Sequence, residues 1–346
     1  MKIAAPVILF LAVTISIFSL DLNTELKYQG FDSQRYPFED EAVGRIVLKD
    51  DKQEHYSFFL EYRFGDGVDR VDAAQLKFMT AKTDLEIGRN RIGWGTGYNF
   101  NPTDIFNDLP LGAAYDPTYV KRGRDSIILT RYIKDSALQG IYAAKDGSDR
   151  DEEYGIKYKT TISEYDIDLL YIHKGKRAAE WGELEDKDDI IGGDLSFSIP
   201  YLDYGIWLEG AYYLQKEELV YITGIDNYFR EKYRVVVEYL YHGLGEGEKE
   251  NYNINRILAG QLAGRNYLMP SLTYEYSEKL ILTGYSFVNM DDYSYSLGAT
   301  ITYFYNNNID INLIPFYIGG KTGSEYGILA EEIGNFGITA VVRVMF

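Results

Sequence analysis

The sequence of 346 residues has no cysteine, three histidines and only eight prolines. Without cysteine there is no disulfide framework and no lipid-modified cysteine to anchor the chain. The histidines, His55, His173 and His242, come with no nucleophilic serine motif and no aspartate pairing, so the composition points away from an enzyme. Beyond the first 19 residues no run of about 18 apolar residues occurs, which excludes a helical membrane span. Basic residues are outnumbered, 35 Lys and Arg against 53 Asp and Glu, for a formal charge of −18. Nucleic acid is thereby disfavoured as a partner, because phosphate binding needs clustered Lys and Arg. The acidic runs at 39–41, 149–153, 183–189 and 246–250 lack the Asp/Asn/Gly spacing of a calcium loop, and neither metal nor cofactor is expected.

What is present is alternation. Tyr and Gly each number 33, and apolar residues arrive at every second position instead of in blocks. Residues 20–28 set Leu20, Leu22, Leu26 and Tyr28 against Asp21, Asn23, Glu25 and Lys27. Residues 55–64 set Tyr56, Phe58, Leu60, Tyr62 and Phe64 against His55, Ser57, Glu61 and Arg63, with Phe59 the one apolar intruder. Eighteen such segments are readable, near 20–28, 42–50, 54–64, 71–81, 83–91, 125–134, 136–145, 152–161, 164–173, 189–199, 203–214, 217–225, 231–241, 266–277, 279–288, 292–305, 308–318 and 335–346. Sixteen is the alternative, because alternation is ambiguous at 42–50, 125–134 and 217–225, and a bulge or misread hairpin changes the count by two.

A bilayer core offers no water to backbone amides, so a sheet that spans it must close on itself. Most of the segments have spanning length, and their connections alternate short and long, with both ends of the sheet on the short-turn side. Tyr28, Tyr56, Tyr158, Tyr171, Tyr293, Tyr303 and Tyr317 fall toward segment ends, where a ring can sit at headgroup level, although Tyr also favours strands in general. The expected fold class is all-β: a transmembrane antiparallel up-and-down β-barrel of 16–18 strands, 18 favoured, forming one domain over residues 20–346. Residues 1–19 have the form of a secretory signal peptide, with Met1-Lys2, an apolar stretch over 3–18, and Ser19 before the polar Asp21.

At the C-terminal end Phe336, Ile338, Ala340, Val342, Val344 and Phe346 share one face, opposite Gly337, Thr339, Arg343 and Met345. This ending resembles the closing strand of bacterial outer-membrane β-barrels, in which a terminal aromatic is the signature recognised by the barrel-assembly machinery. The resemblance implies export through the periplasm to the cell outer membrane, with outer-membrane lipid and lipopolysaccharide as surroundings. Barrels of about eight strands are filled by side chains, whereas 16–18 leave an aqueous channel, so function turns on what narrows it.

The longest connection is 92–124, IGWGTGYNFNPTDIFNDLPLGAAYDPTYVKRGR. In general porins the loop at this ordinal position folds inward as the constriction, and the placement resembles that family. The stretch GRNRIGWGTGYNFNPTDIFND, 88–108, is also similar to a segment of porin-related and alginate-export barrels. Gly93, Gly95 and Gly97 let the chain turn sharply. Asn101-Pro102-Thr103-Asp104 reads as a turn or a helix start, with Asp104 as a cap and a short helix over 104–109.

The candidate constriction residues are Asp84 and Glu86, inward by parity, with Arg91, Trp94, Tyr98, Asp104, Asp108, Asp116, Lys121, Arg122 and Arg124. Early acids and late bases on the loop allow a transverse field across an aqueous gap, or else they pair with one another and pin the loop. Trp94 and Tyr98 either line the channel or pack the loop. Arg89 and Arg91 share parity with the lipid-facing Leu85 and Ile87, so either a bulge near Gly88 redirects them or they sit at the outer rim facing lipopolysaccharide phosphates. Asp166, Asp168, Asp194, Glu209 and Asp310 have inward parity, and an acidic lumen would favour cations. The resulting expectation is an outer-membrane porin-like channel for passive diffusion of small hydrophilic solutes or ions, with association into a homotrimer left open. The alternative is a structural or adhesive surface protein with an occluded barrel; a hydrolase ranks below both.

Overall fold

A computed structural model describes residues 21–33, 39–66, 68–106, 121–147, 150–178, 184–199 and 201–346. The signal-peptide reading of 1–19 lies outside the described residues. The strands are β1 (Asp21–Ser33), β2 (Glu39–Asp50), β3 (Tyr56–Gly65), β4 (Val68–Met79), β5 (Thr83–Asn90), β6 (Arg124–Ile133), β7 (Ser136–Ala143), β8 (Glu153–Ile162), β9 (Tyr165–Lys174), β10 (Arg177–Ala178), β11 (Leu184–Glu185), β12 (Asp188–Ile199), β13 (Tyr204–Tyr213), β14 (Glu218–Phe229), β15 (Tyr233–His242), β16 (Asn266–Ser277), β17 (Leu280–Asn289), β18 (Ser294–Asn306), β19 (Ile309–Gly319) and β20 (Phe336–Met345). β10 and β11 form a small hairpin within one loop. The other strands make one 18-stranded antiparallel sheet in which sequence neighbours pair and β20 closes on β1. Every expected segment is a strand, and the three ambiguous ones are β2, β6 and β14, so the count is eighteen.

At the seam Tyr28 stands opposite Val342, and the Phe346 amide donates to the Thr24 carbonyl at 2.8 Å. The two faces of each strand differ as period two requires. On β9, Leu169 is 60 % exposed while its neighbour Asp168 is 4 % exposed; Ile127, Leu129, Ile191 and Leu208 likewise stand on the outer face. Arg89 lies on this outer face at the long-loop end of β5 and pairs with Asp125 of β6 at 2.8 Å. The β4–β5 ladder runs through Gly88 without a register shift, so no bulge redirects it. Arg91 follows the end of β5 and turns inward instead.

The interior divides into two halves. Toward the short turns it is polar: Lys77 bridges Asp84 and Glu86, Lys157 pairs with Asp168, Arg343 pairs with Asp310, and Thr302 bonds Asn312. Toward the long loops the inward positions of β6–β19 are mainly apolar and buried, including Ile128, Ile172, Ile190, Ile222, Leu240, Phe287 and Ile318. Two insertions fill that half. One is the start of the β5–β6 loop, through Ile92, Trp94, Ile105 and Phe106; the other is a helix, Glu325–Ile333, between β19 and β20, through Tyr326, Leu329, Ala330 and Ile333. A shorter helix, Ile254–Leu258, sits between β15 and β16, where Ile257 joins Tyr252 and Ala263 against Ile328 and Leu329. The wet interior expected of so wide a barrel is thus confined to the short-turn half and to the β1–β4 side of the loop, because loop side chains occupy the rest.

Charge on the lipid side should cost according to depth. Leu169→Arg, at mid-strand, is expected to destabilise the barrel by about 2–4 kcal/mol in vesicle-based urea unfolding, and Ile162→Arg, at the strand end, by about 0–1 kcal/mol. Equal costs at the two depths would contradict a membrane-spanning outer face.

Candidate functional site

A chain segment inside a barrel has no strand to pair with, so each of its amides needs another acceptor. For the β5–β6 loop these come from two carboxylates on the far wall, Glu209 of β13 and Glu238 of β15, both fully buried. Glu209 accepts from the amides of Thr96 (2.7 Å), Gly97 (2.9 Å) and Thr103 (2.8 Å) and from the Thr103 hydroxyl (2.8 Å). Glu238 accepts from the amides of Tyr98 (2.6 Å) and Asn99 (2.8 Å), the Asn99 side chain (2.7 Å) and the Trp207 indole (2.8 Å). Convergent N–H dipoles here replace the water that a buried anion would otherwise lose. Gly95 is required by this approach: its φ is +103°, and a β-carbon there would lie 2.6 Å from a Glu209 oxygen.

Two further contacts fix the ends of the segment. Arg91 reaches Glu61 of β3 at 2.7 Å, and Glu61, fully buried, also holds Arg45 of β2 at 2.6 Å. At the other end Glu153 of β8 gathers Arg124 (3.0 Å), Arg150 (2.8 Å) and Arg177 (2.8 Å). Arg177 donates to the Ile105 carbonyl at 2.8 Å and Arg150 to that of Phe106 at 2.9 Å. Between these ends Asn101 and Asp104 close a turn, with the Asp104 amide donating to the Asn101 carbonyl at 3.1 Å. Asp104–Phe106 are not helical, which corrects the helix reading over the part described; 107–109 lie outside the described residues.

The expected site residues separate into groups. Arg91, Asp104 and Lys121 come together on the β1–β4 side, where Lys121 pairs with Asp104 and its carbonyl accepts from Arg91. Trp94 is buried, donates to Gln139 at 2.8 Å and meets Phe106 edge-on. Tyr98 projects into the lumen beneath the loop and is 54 % exposed. Asp84 and Glu86 share Lys77 lower on the wall, Arg124 is buried on Glu153, and Arg122 is exposed. Asp108 and Asp116 lie outside the described residues. Of the inward acids, Asp168 and Asp310 are paired, Glu209 serves the loop, and Asp166 and Asp194 are without a cation partner at ion-pair distance among the described residues. Sequence reading missed Glu238, Glu61 and Glu153 as anchors; inward parity was their one signal.

The Glu325–Ile333 helix is held by its own buried carboxylate. Glu325 accepts from the Tyr267 hydroxyl (2.6 Å), the Asn289 amide (2.6 Å) and the Ala263 backbone (3.2 Å), while its own amide donates to Asp292 (2.7 Å). Burial pushes the Glu325 carboxyl up to about 7, against the lowering pull of those donors.

No protein-family model and no curated protein matches the sequence. Solved structures do. Wzi from Escherichia coli, an outer-membrane protein involved in group 1 capsule assembly and a carbohydrate-binding β-barrel, gives a TM-score of 0.60 at 11 % identity, over 93 % of this chain and 84 % of its own. A triple mutant of the Rhodopseudomonas blastica porin gives 0.50 at 12 % identity, over 94 % and 100 %. At such identities the likeness is one of fold: this chain has the architecture of outer-membrane β-barrels.

Each bond to an ionised acceptor contributes about 1.5–3 kcal/mol, so Glu238→Gln should accelerate amide exchange at Tyr98 and Asn99 on the order of tenfold or more. Unchanged protection there would show that the loop is held by packing alone. A folded-state value near 7 against 4.5 for a free carboxyl means that helix docking is fully supported below 4.5 and weakens as pH rises through 7. After correction for intrinsic rates, amides of 325–333 are expected to lose protection by up to about a hundredfold between pH 5 and pH 8.5, and Glu325→Gln to abolish that dependence.

Proposed function

We propose that the protein is an outer-membrane channel of porin type, narrow because the β5–β6 loop crosses its lumen, that passes small hydrophilic solutes or ions by diffusion. In this reading residues 1–19 direct export, the short turns face the periplasm, and lipid and lipopolysaccharide surround the outer face. The observation that carries it is the contrast between the two sides of the loop. On the β6–β19 side the loop meets buried apolar groups. On the β1–β4 side it meets charged groups that keep contact with water: Arg45, Arg63, Arg91 and Lys121 are each about a fifth to a third exposed. The remaining path therefore runs along that charged edge, and selection is by size and by the charges on it.

A second reading is favoured by the apolar filling itself: a barrel closed at its long-loop end that binds a ligand without conducting, as Wzi is a carbohydrate-binding barrel. Single-channel recording in planar bilayers separates the two. Channel activity predicts a small ohmic current in the unaltered protein and a larger one in a Glu209→Gln, Glu238→Gln variant, whose loop is released. Silence from the unaltered protein with current only from the variant favours occlusion, and silence from both rules out conduction by this barrel.

A further inference from the structure

Beneath the loop a cavity of about 270 Å³ opens toward the short-turn end, bounded by Tyr98, Asp166, Ser196, Trp207, Asp226 and Arg234. Tyr98 is tied by its amide to Glu238, so its exposed ring is held in place over this space, with the Arg234 guanidinium 4.7 Å from the ring centroid. Asp226 is neutralised by Arg234, which donates to it at 2.8 and 3.1 Å. Asp166 accepts from the Thr161 hydroxyl and has no cationic partner at ion-pair distance among the described residues. One register step nearer the loop, Asp194 stands between Asp168 and Glu209. It is 6 % exposed, and its Oδ2 has no hydrogen-bond partner among the described residues. A buried carboxyl in this setting either takes up a proton or meets a cation from outside the chain.

The charge around the cavity is unbalanced. Glu164, Asp166 and Asp226 line it against Arg234, three carboxylates to one cation. We infer that this cavity binds a small organic cation carrying primary or secondary ammonium groups. Asp166 supplies the counter-charge at the cavity wall, with Asp194 buried one step behind it, and the Tyr98 ring supplies a face for the methylene and ammonium groups. The volume suits a short flexible amine rather than an oligosaccharide. The inference does not rest on conduction, since a barrel closed at the long-loop end but open at the short turns presents the same cavity.

Spermidine is the probe, titrated calorimetrically into the purified full chain in a neutral detergent, with heat-modifiable gel mobility confirming that each variant is folded. Saturable binding that weakens with added salt is expected. Asp166→Asn should weaken it about fivefold, as loss of one partly screened charge contact does. Arg234→Gln should tighten it, because it frees the Asp226 carboxylate and one face of Tyr98; a merely structural role for Arg234 would not do so. Glu248→Gln, on an exposed loop, should leave the affinity unchanged and so separates site binding from attraction to the acidic surface. Absence of saturable spermidine binding overturns the inference, as does an affinity indifferent to both cavity substitutions. Maltose binding that depends on Tyr98 and Asp166 where spermidine binding does not would also overturn it and reassign the cavity to a saccharide.

Discussion

A polypeptide segment that leaves a sheet and enters a barrel keeps its amides but loses its ladder, and the rest of this structure depends on how that deficit is met. Glu209 and Glu238 meet it from the opposite wall, taking up backbone donors from Thr96, Gly97, Tyr98, Asn99 and Thr103. Neither carboxylate forms an ion pair among the described residues; the amides themselves solvate the two charges. Removing one partner class strands the other, since a bare buried carboxylate and a bare buried amide are each unfavourable. The position of the loop is therefore over-determined, and Trp94 and Phe106 are carried with it into the apolar seat formed by the surrounding strands.

That placement explains why the interior has two characters. Inward residues near the long loops pack against protein, so they are Ile, Leu and Phe; those near the short turns meet water, so they are Thr, Lys, Asp and Arg. The same transition is visible along β9, where Asp166 and Asp168 give way to Leu170 and Ile172 on a single face. On the β1–β4 side the loop faces guanidiniums instead of aliphatic groups, and there the packing stops short of closing off water.

The strands were legible because lipid outside and anything else inside force a change of chemistry at every residue. Alternation blurred at 125–134 and 217–225, and the structure supplies the reason. Ile127, Ile128 and Leu129 on β6, and Leu219, Val220 and Ile222 on β14, are apolar on both faces because one face meets lipid and the other meets the inserted loop. Two-sided burial erases the period-two signal. The site was less legible. Inward parity identified Glu209 as a lumen acid, but acceptance of amides from more than a hundred residues away leaves no periodic trace. Gly95 and Gly97 hinted at close approach without saying to what. The Glu325–Ile333 helix escaped notice because it is only nine residues long and shows in the sequence as a gap in the alternation before Phe336.

The seam between β1 and β20 carries a consequence for how the sheet comes into being. Every other ladder in the ring joins segments adjacent along the chain, each reachable by a local hairpin. The pairing of Tyr28 with Val342 joins opposite extremes of the sheet and cannot form until the intervening hairpins have brought them near. The closure of largest sequence separation is thus left to this seam, and until it forms two unsatisfied edges remain open to pairing with other chains.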